Sequence, residues 1–431
     1  LRPRSPATIY STNFWRRGLA IPPLPGAGRR SRLAALALTA AVGLLLAALA
    51  FNYSRPLPSL LPAQTAQGPP QPSQAQPLPW PSSAQSALGL EDAGMLAATP
   101  NARAQPIASV AKVMTALVVL QEKPLAAGEA GPLLQIGEQE LREFASEKAN
   151  GESVVAVKQG EQLTERQALE GLLLPSGNNL AVLLSRWVAG SSQAFQAKMN
   201  STAASLGLRE TKFADVSGLD PGTVSTPSDL VKLGLAAMKN PAFAEVVGQP
   251  QADLPVAGTV YNVNYAIGQD GITGIKTGTT PEAGAVYLFS GTVDLEGRKL
   301  VVVGVVQGQS ALPDALTAGR TVLKAAKAAI TVQTVVSRGQ VIGRYDVPWQ
   351  GNVDVVAKQE LRLPLLSGSP VRYRLKGSRL TGATPAGRDA GSLEVTAADA
   401  PGLVAVRQQI PLATAEEVAE PSAYWRLTRT R

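Results

Sequence analysis

Residues Leu33 to Phe51 form an unbroken run of 19 residues, LAALALTAAVGLLLAALAF, with no charge and only Thr39 and Gly43 outside the apolar set. As a helix rising about 1.5 Å per residue, the run is about 28 Å long, the thickness of one bilayer core. A helix that is apolar on every face has no polar side to turn to water, so the run predicts a membrane span rather than a core helix. Arg29, Arg30 and Arg32 lie immediately before it, which predicts a single pass with the N-terminus in the cytoplasm. Ala48-Leu49-Ala50 resembles a signal-peptidase site, so a cleaved signal peptide is the rival reading. The 32 residues before the run and its own length favour an uncleaved anchor in the cell membrane. On either reading the chain beyond residue 52 is exported, membrane-bound or secreted.

The charge distribution agrees with this reading. Of the formal net charge of +8 over 431 residues, most is held by seven arginines within residues 1–32, a stretch without a single acid. A smaller basic excess follows residue 330, and the long middle segment is slightly acidic. The middle therefore lacks the basic footprint that nucleic-acid binding needs, and no nucleic-acid partner is expected. From Pro56 to Pro81 there are nine prolines in 26 residues, a composition that excludes a helix or packed sheet and predicts an extended spacer of up to about 80 Å.

Beyond the spacer, periodicity predicts two short strands, Ser86–Leu90 and Met95–Ala98, and then a helix from Ser109 to about Leu120. Thr164 and Gln167 form a capping-box pattern for a helix ending near Leu174. The segment Pro175-Ser176-Gly177-Asn178 breaks it before a helix over Asn179–Val188. Thr226 followed by Pro227 starts another helix, which stops at Asn240-Pro241. Ala285–Ser290 and Lys299–Val306 read as a hairpin, and Asp314–Ile330 as an amphipathic helix. After Ile330 only short β-type runs remain: Thr331–Val336, Val341–Tyr345, Val353–Ala357, Val371–Leu375, Ser392–Thr396 and Leu403–Gln408. The expected class is α+β, with one sheet formed from both ends of the first globular segment, followed by a small all-β domain. The expected division is a basic tail over 1–32, an anchor over 33–52, a Pro-rich linker over 53–83, a catalytic domain over 84–330, a β domain over 331–413 and a tail over 414–431.

The chain contains no histidine and no cysteine. A serine–histidine–aspartate triad, a thiol nucleophile, a disulfide and the usual zinc and iron–sulfur ligand sets are thereby excluded, and no metal or cofactor is expected. A hydrolase built from this alphabet needs a hydroxyl activated by something other than imidazole. Ser109 and Lys112 lie three residues apart, so on a helix the amine reaches the hydroxyl. Lysine becomes a base only when burial or a nearby second cation lowers its pKa. An S-x-x-K string is common by chance, and on its own the pair reads more readily as a helix cap and a solvated lysine. Ser176-Gly177-Asn178 has the composition of an ordinary helix–helix turn. Lys276-Thr277-Gly278 places a lysine beside a glycine on a strand, which suits capture of an anion at close backbone approach and a peptide added along the strand.

Together, in this order on helix, turn and strand, the three elements resemble those of the penicillin-binding D-alanyl-D-alanine carboxypeptidases, the low-molecular-mass serine peptidases with S-x-x-K, S-x-N and K-T-G. The resemblance covers about residues 84–413. It includes Pro106-Ile107-Ala108-Ser109-Val110-Ala111-Lys112, the segment from Lys212 through Ser217-Gly218-Leu219 to Asp229, and Gly274-Ile275-Lys276-Thr277-Gly278-Thr279-Thr280. It implies the β-lactamase/DD-peptidase-like fold and hydrolysis of stem peptides ending in D-Ala-D-Ala through an acyl-enzyme that penicillin also forms. It makes Ser109 the nucleophile, Lys112 its base, and Ser176 and Asn178 the proton relay. Lys276 and Thr277 hold the terminal carboxylate, and the backbone N–H groups of Ser109 and Thr279 form the oxyanion hole. In this picture Lys276 is the second cation that keeps Lys112 neutral.

Three alternatives use the same fold. A class A β-lactamase would need a glutamate in an E-x-x-x-N loop; Glu210 is the nearest, but residue 214 is Ala. A non-catalytic wall-binding protein would have no reason to retain Ser109 and Lys112. A DD-endopeptidase cutting cross-links shares every motif.

Overall fold

The structure, a computed structural model, describes residues 29–69, 78–397 and 406–430. The basic tail up to residue 28, part of the Pro-rich linker and the first three residues of the strand expected over Leu403–Gln408 lie outside them.

The apolar run is helical and longer than expected, Arg29–Ser54, with no buried residue. It is long and apolar enough to cross a membrane. Beyond it, an antiparallel five-stranded sheet has the spatial order Ile272–Thr280, Gly284–Leu295, Arg298–Gln309, Gln85–Leu90, Gly94–Ala98. The hairpin turn between Leu295 and Arg298 uses Glu296 and Gly297 at φ 55° and 82°, the two left-handed residues that a tight two-residue turn needs. Helix Leu312–Ala329 covers one face of the sheet, and helix Pro227–Met238 the other. The expected caps are present: Thr164 accepts from the backbone of Gln167, and Thr226 from that of Asp229. Helices Glu138–Ala149, Ser192–Ser205 and Pro241–Val247 form in addition to those expected.

The buried apolar side chains form two clusters. One fills the helical side and packs around Val113, Met114 and Leu172. The other begins under Leu312–Ala329 with Tyr287 and Phe289 and continues through Ile330 and Val336 into the C-terminal region, to Tyr345, Val355 and Leu393. The five-stranded sheet and the C-terminal β region are thus joined by apolar contact.

The C-terminal region is a six-stranded sheet together with a two-stranded ribbon of Ile330–Val336 and Leu361–Leu366. Its first strand in space is Ala63–Gln64, from the linker. Gln64 pairs its backbone with Gly343 on one edge. Its side-chain amide donates to Tyr373 O at 3.1 Å and accepts from Leu375 N at 2.8 Å on the opposite edge. One glutamine therefore ties both open edges of the sheet, which would otherwise expose unpaired backbone groups. Leu60 adds a bridge to Leu380. This portion of the Pro-rich segment is accordingly not a free spacer: its prolines interrupt the ladder, but the residues between them still pair.

The C-terminal tail also has a place. Helix Ala423–Thr428 packs against the end of helix Arg29–Ser54. Arg429 donates to Asn52 O at 2.8 Å and Pro56 O at 3.2 Å, and also to Arg55 O. A cation thus meets the carbonyl end of the long helix, where orphan acceptors and the dipole favour it.

Candidate active site

Ser109 does not open an α-helix. It sits in a 3-10 turn, Ala108–Ala111, and Lys112 is the first residue of the α-helix Lys112–Glu122 that follows. In a 3-10 turn side chains three apart eclipse one another, so the turn brings the two together more closely than an α-helix does. Lys112 Nζ donates to Ser109 Oγ at 2.8 Å, to Asn178 Oδ1 at 2.6 Å and to the carbonyl of Ser217 at 3.1 Å. Lys112 is fully buried, whereas Ser109 is partly open.

The backbone around the serine is held in an uncommon shape. Ala108 has φ 46° and Ser176 φ 71°, left-handed values that cost a non-glycine residue about 1–3 kcal/mol and persist where the surroundings enforce them. At Ala108 two glycines supply the enforcement. A Cβ on Gly218 would land inside the carbonyl of Ala108, and one on Gly278 would stand 2.8 Å from Ser109 N. The third motif and the middle segment are thus pressed against the serine turn at positions where only glycine fits.

Ser176 lies two residues before Asn178, the first residue of helix Asn178–Ala189, and its Oγ is buried with no partner. A buried hydroxyl without a partner loses a hydrogen bond of about 1–3 kcal/mol, which an incoming polar group can restore. Lys276 and Thr277 are buried on strand Ile272–Thr280, and Thr279 is exposed farther along it. Lys276 Nζ donates to the carbonyl of Thr277 at 3.0 Å. All seven sequence-selected residues therefore lie on the three elements that converge on the serine turn, and Ser109, Lys112 and Asn178 are joined by direct hydrogen bonds.

Burial lowers the pKa of Lys112 from its usual range to about 7, while Asp215, Glu147 and Glu152 pull it back up. Burial, rather than the second cation, is thus the main force that lowers the pKa of Lys112. The neighbouring lysine is felt at Lys276 instead, whose pKa is held well below the usual lysine value, first by burial and then by Lys112. Glu147 is pushed up to about 7 by burial and by its neighbours Glu152 and Glu143, opposed by Lys112 and Arg186.

The carboxylates around Lys112 are the part of the site that motif reading missed. Asp215 accepts from the backbone N–H groups of Ser217, Gly218 and Leu219 at 2.8–3.1 Å, so it builds the loop that presents the Ser217 carbonyl to Lys112. Glu147 and Glu152, with Ser217 and Leu219, line a cleft of about 680 Å³ beside the network. The only sequence signal for Asp215 is its place just before Ser217-Gly218. Glu147 and Glu152 fall in a stretch that carries no motif. Among the described residues no group of His, Cys, Asp and Glu could hold a metal ion.

A serine on a 3-10 turn bonded to a buried lysine at the start of the next helix, flanked by a serine–asparagine turn and a lysine-bearing strand on an antiparallel sheet, defines the serine peptidases of the DD-peptidase fold. The family model described as D-alanyl-D-alanine carboxypeptidase matches residues 74–308, and the chain belongs to that family. D-alanyl-D-alanine carboxypeptidase DacB2 of Mycobacterium tuberculosis is 35% identical over 243 residues, covering 54% of this chain and 77% of that protein. D-alanyl-D-alanine carboxypeptidase DacD of Escherichia coli is 29% identical, covering 64% of this chain and 72% of that protein. The crystal structure of a Streptomyces DD-transpeptidase matches with a TM-score of 0.50 at 27% identity, over 59% of this chain and 98% of that one. The carboxypeptidase DacD of Francisella tularensis shares the fold over 83% of this chain and 97% of its own, with a TM-score of 0.61 at 18% identity.

Proposed function

We propose that this serine peptidase removes the terminal D-Ala from peptidoglycan stem peptides ending in D-Ala-D-Ala, and that penicillin acylates it at the same serine. The observation that carries the reading is the hydrogen bond from Lys112 Nζ to Ser109 Oγ in a pocket that lowers the lysine's pKa to about 7. In the proposed cycle neutral Lys112 takes the Ser109 proton as Oγ attacks the carbonyl of the penultimate D-Ala. The backbone N–H groups of Ser109 and Thr279 receive the oxyanion. Lys276 and Thr277 hold the terminal carboxylate, and Ser176 passes a proton to the leaving D-Ala nitrogen, with Asn178 orienting the substrate. Water then hydrolyses the acyl-enzyme, with Lys112 again the base.

Helix Arg29–Ser54 is proposed as an anchor in the cell membrane with the catalytic domain outside the cytoplasm. The functional division is a catalytic unit over 84–330 and a β unit over 331–413, to which the linker contributes an edge strand. An endopeptidase reading has one specific support: a relative named D-alanyl-D-alanine endopeptidase from Pseudomonas aeruginosa is 31% identical over 205 residues, covering 46% of this chain and 63% of that protein. Incubation with a pentapeptide ending in D-Ala-D-Ala and with a cross-linked dimer separates the two. The carboxypeptidase reading expects free D-Ala from the pentapeptide at the higher kcat/KM; cleavage of the dimer alone contradicts it.

The pH dependence follows from the lysine pair. The acylating form has Lys112 neutral, so kcat/KM for acylation rises about tenfold per pH unit below about 7 and levels off above it. Lys276 must keep its proton to hold a carboxylate, and its own pKa is lowered, so KM for the peptide rises on the alkaline side. A profile of acylation rate against pH checks the first limb; a flat line from pH 5 to 9 contradicts Lys112 as base.

A further inference from the structure

A neutral lysine that is to accept the proton of Ser109 has two N–H donors and one lone pair. Asn178 Oδ1 and the carbonyl of Ser217 stand 2.6 and 3.1 Å from Nζ. Both atoms can only accept, so they engage the two N–H groups and leave the lone pair facing Ser109 Oγ at 2.8 Å. This arrangement depends on which end of the Asn178 amide faces the lysine. Turned over, the amide would present its NH₂ to Nζ, where it would compete with the Ser109 hydroxyl for the lone pair.

What fixes the amide is a carboxylate from outside the three motifs. Asn178 Nδ2 donates to Glu152 Oε2 at 2.8 Å, and a carboxylate accepts but does not donate. The loop carrying Glu152 is fastened to the same helix start. Asn178 N donates to Ser153 O at 2.8 Å, and the Asn179 side chain bonds both the N–H and the C=O of Val155 at 3.0 and 2.9 Å. Asn150 donates to the other Glu152 oxygen at 3.3 Å.

We infer that Glu152 is a positioning residue for acylation, acting through Asn178 to keep the lone pair of Lys112 on Ser109. The inference rests on the proposed roles of Ser109 and Lys112. Glu152 also contributes charge: with Asp215 and Glu147 it opposes the effect of burial on Lys112. The other charged groups in this neighbourhood are Lys276, and Glu143 and Arg186, which act on Glu147. Orientation and charge separate on substitution. Glu152→Gln keeps an oxygen that can accept from Asn178 and removes the charge. Glu152→Ala removes both.

The experiment is acylation of the full chain by a fluorescent penicillin between pH 5 and 9, with thermal unfolding of each variant as a check on folding. Glu152→Ala is expected to acylate about 10- to 100-fold more slowly, with little change in the penicillin concentration giving half the maximal rate. Glu152→Gln is expected to regain most of that rate, with its acid limb moved to lower pH, because losing a neighbouring carboxylate lowers the pKa of Lys112. A Glu152→Ala chain that acylates at the parental rate overturns the inference. So does a Glu152→Gln chain as slow as the alanine variant with an unshifted limb, which would mark a purely structural role. Should the alanine variant not fold, the rate and limb of the glutamine variant decide. A parent that takes no label overturns the proposed function itself, whereas a labelled parent with indifferent variants overturns only the role of Glu152.

Discussion

Lys112→Ala is expected to slow acylation by penicillin by a factor of about 10² to 10⁴, the usual contribution of a positioned general base. That is about 3–5.5 kcal/mol of transition-state stabilisation. The loss should fall on the acylation rate constant, because Ser109, Ser176, Lys276 and Thr277 remain to hold the ligand. Lys112→Arg is expected to rescue nothing: a guanidinium stays protonated at every accessible pH and cannot accept the Ser109 proton. Stopped-flow labelling of both variants checks this. A Lys112→Arg chain that acylates at near-parental rate would show that the lysine serves only as a fixed charge.

The second large effect concerns Gly218, which lies outside the three motifs. Its φ is +84°, and a Cβ there would overlap the Ala108 carbonyl and stand 3.0 Å from the Ala111 side chain. Gly218→Ala is therefore expected to cost about 2–5 kcal/mol of stability, a left-handed penalty of about 1–2 plus overpacking of about 1–3. It should also displace the turn Ala108–Ala111 that carries Ser109, so activity falls even where the fold survives. Gly160→Ala is the matched control: its φ is +78°, with nothing within 4 Å of the added carbon. Urea unfolding of the two variants and their acylation rates check the argument. Equal destabilisation by both would mean that the contact with Ala108 carries no weight.

The features legible in the sequence are those written in local code. The long N-terminal helix follows from one uninterrupted apolar run, and the helix starts at Thr164 and Thr226 from cap residues that bond their own chain. The site motifs could be recognised because Ser109 and Lys112 are neighbours in sequence, and Ser176 and Asn178 likewise. What escaped depends on contacts between distant segments. Gln64 closes the β sheet by pairing with Gly343 and with the backbone of residues 373 and 375, which no local pattern around a proline-rich stretch foretells. Arg429 bonds the end of a helix 373 to 377 residues earlier in the chain. The carboxylates that moderate Lys112 belong to no motif, and Glu147 and Glu152 sit in an acid-rich stretch that reads as a solvated face; only the fold sets them around one amine. The expectation that Lys276 keeps Lys112 neutral put a second cation first, because burial of the lysine cannot be read from its neighbours in sequence.

These features give one physical account. A lysine buried by the packing of its helix loses much of its affinity for a proton, a side-chain amide oxygen and a backbone carbonyl face its N–H groups, and glycines at 218 and 278 let the chain close around the serine it is proposed to activate. The most direct test is intact-mass analysis of the full chain after brief exposure to penicillin, followed by peptide mapping, with Ser109→Ala alongside. The account predicts one adduct per chain, carried on the peptide containing Ser109, absent from the variant and slowed by a competing D-Ala-D-Ala peptide. No adduct on the parent, or an equal adduct on Ser109→Ala, would contradict it. An adduct on Ser109 released within seconds would assign the chain to β-lactam hydrolysis instead.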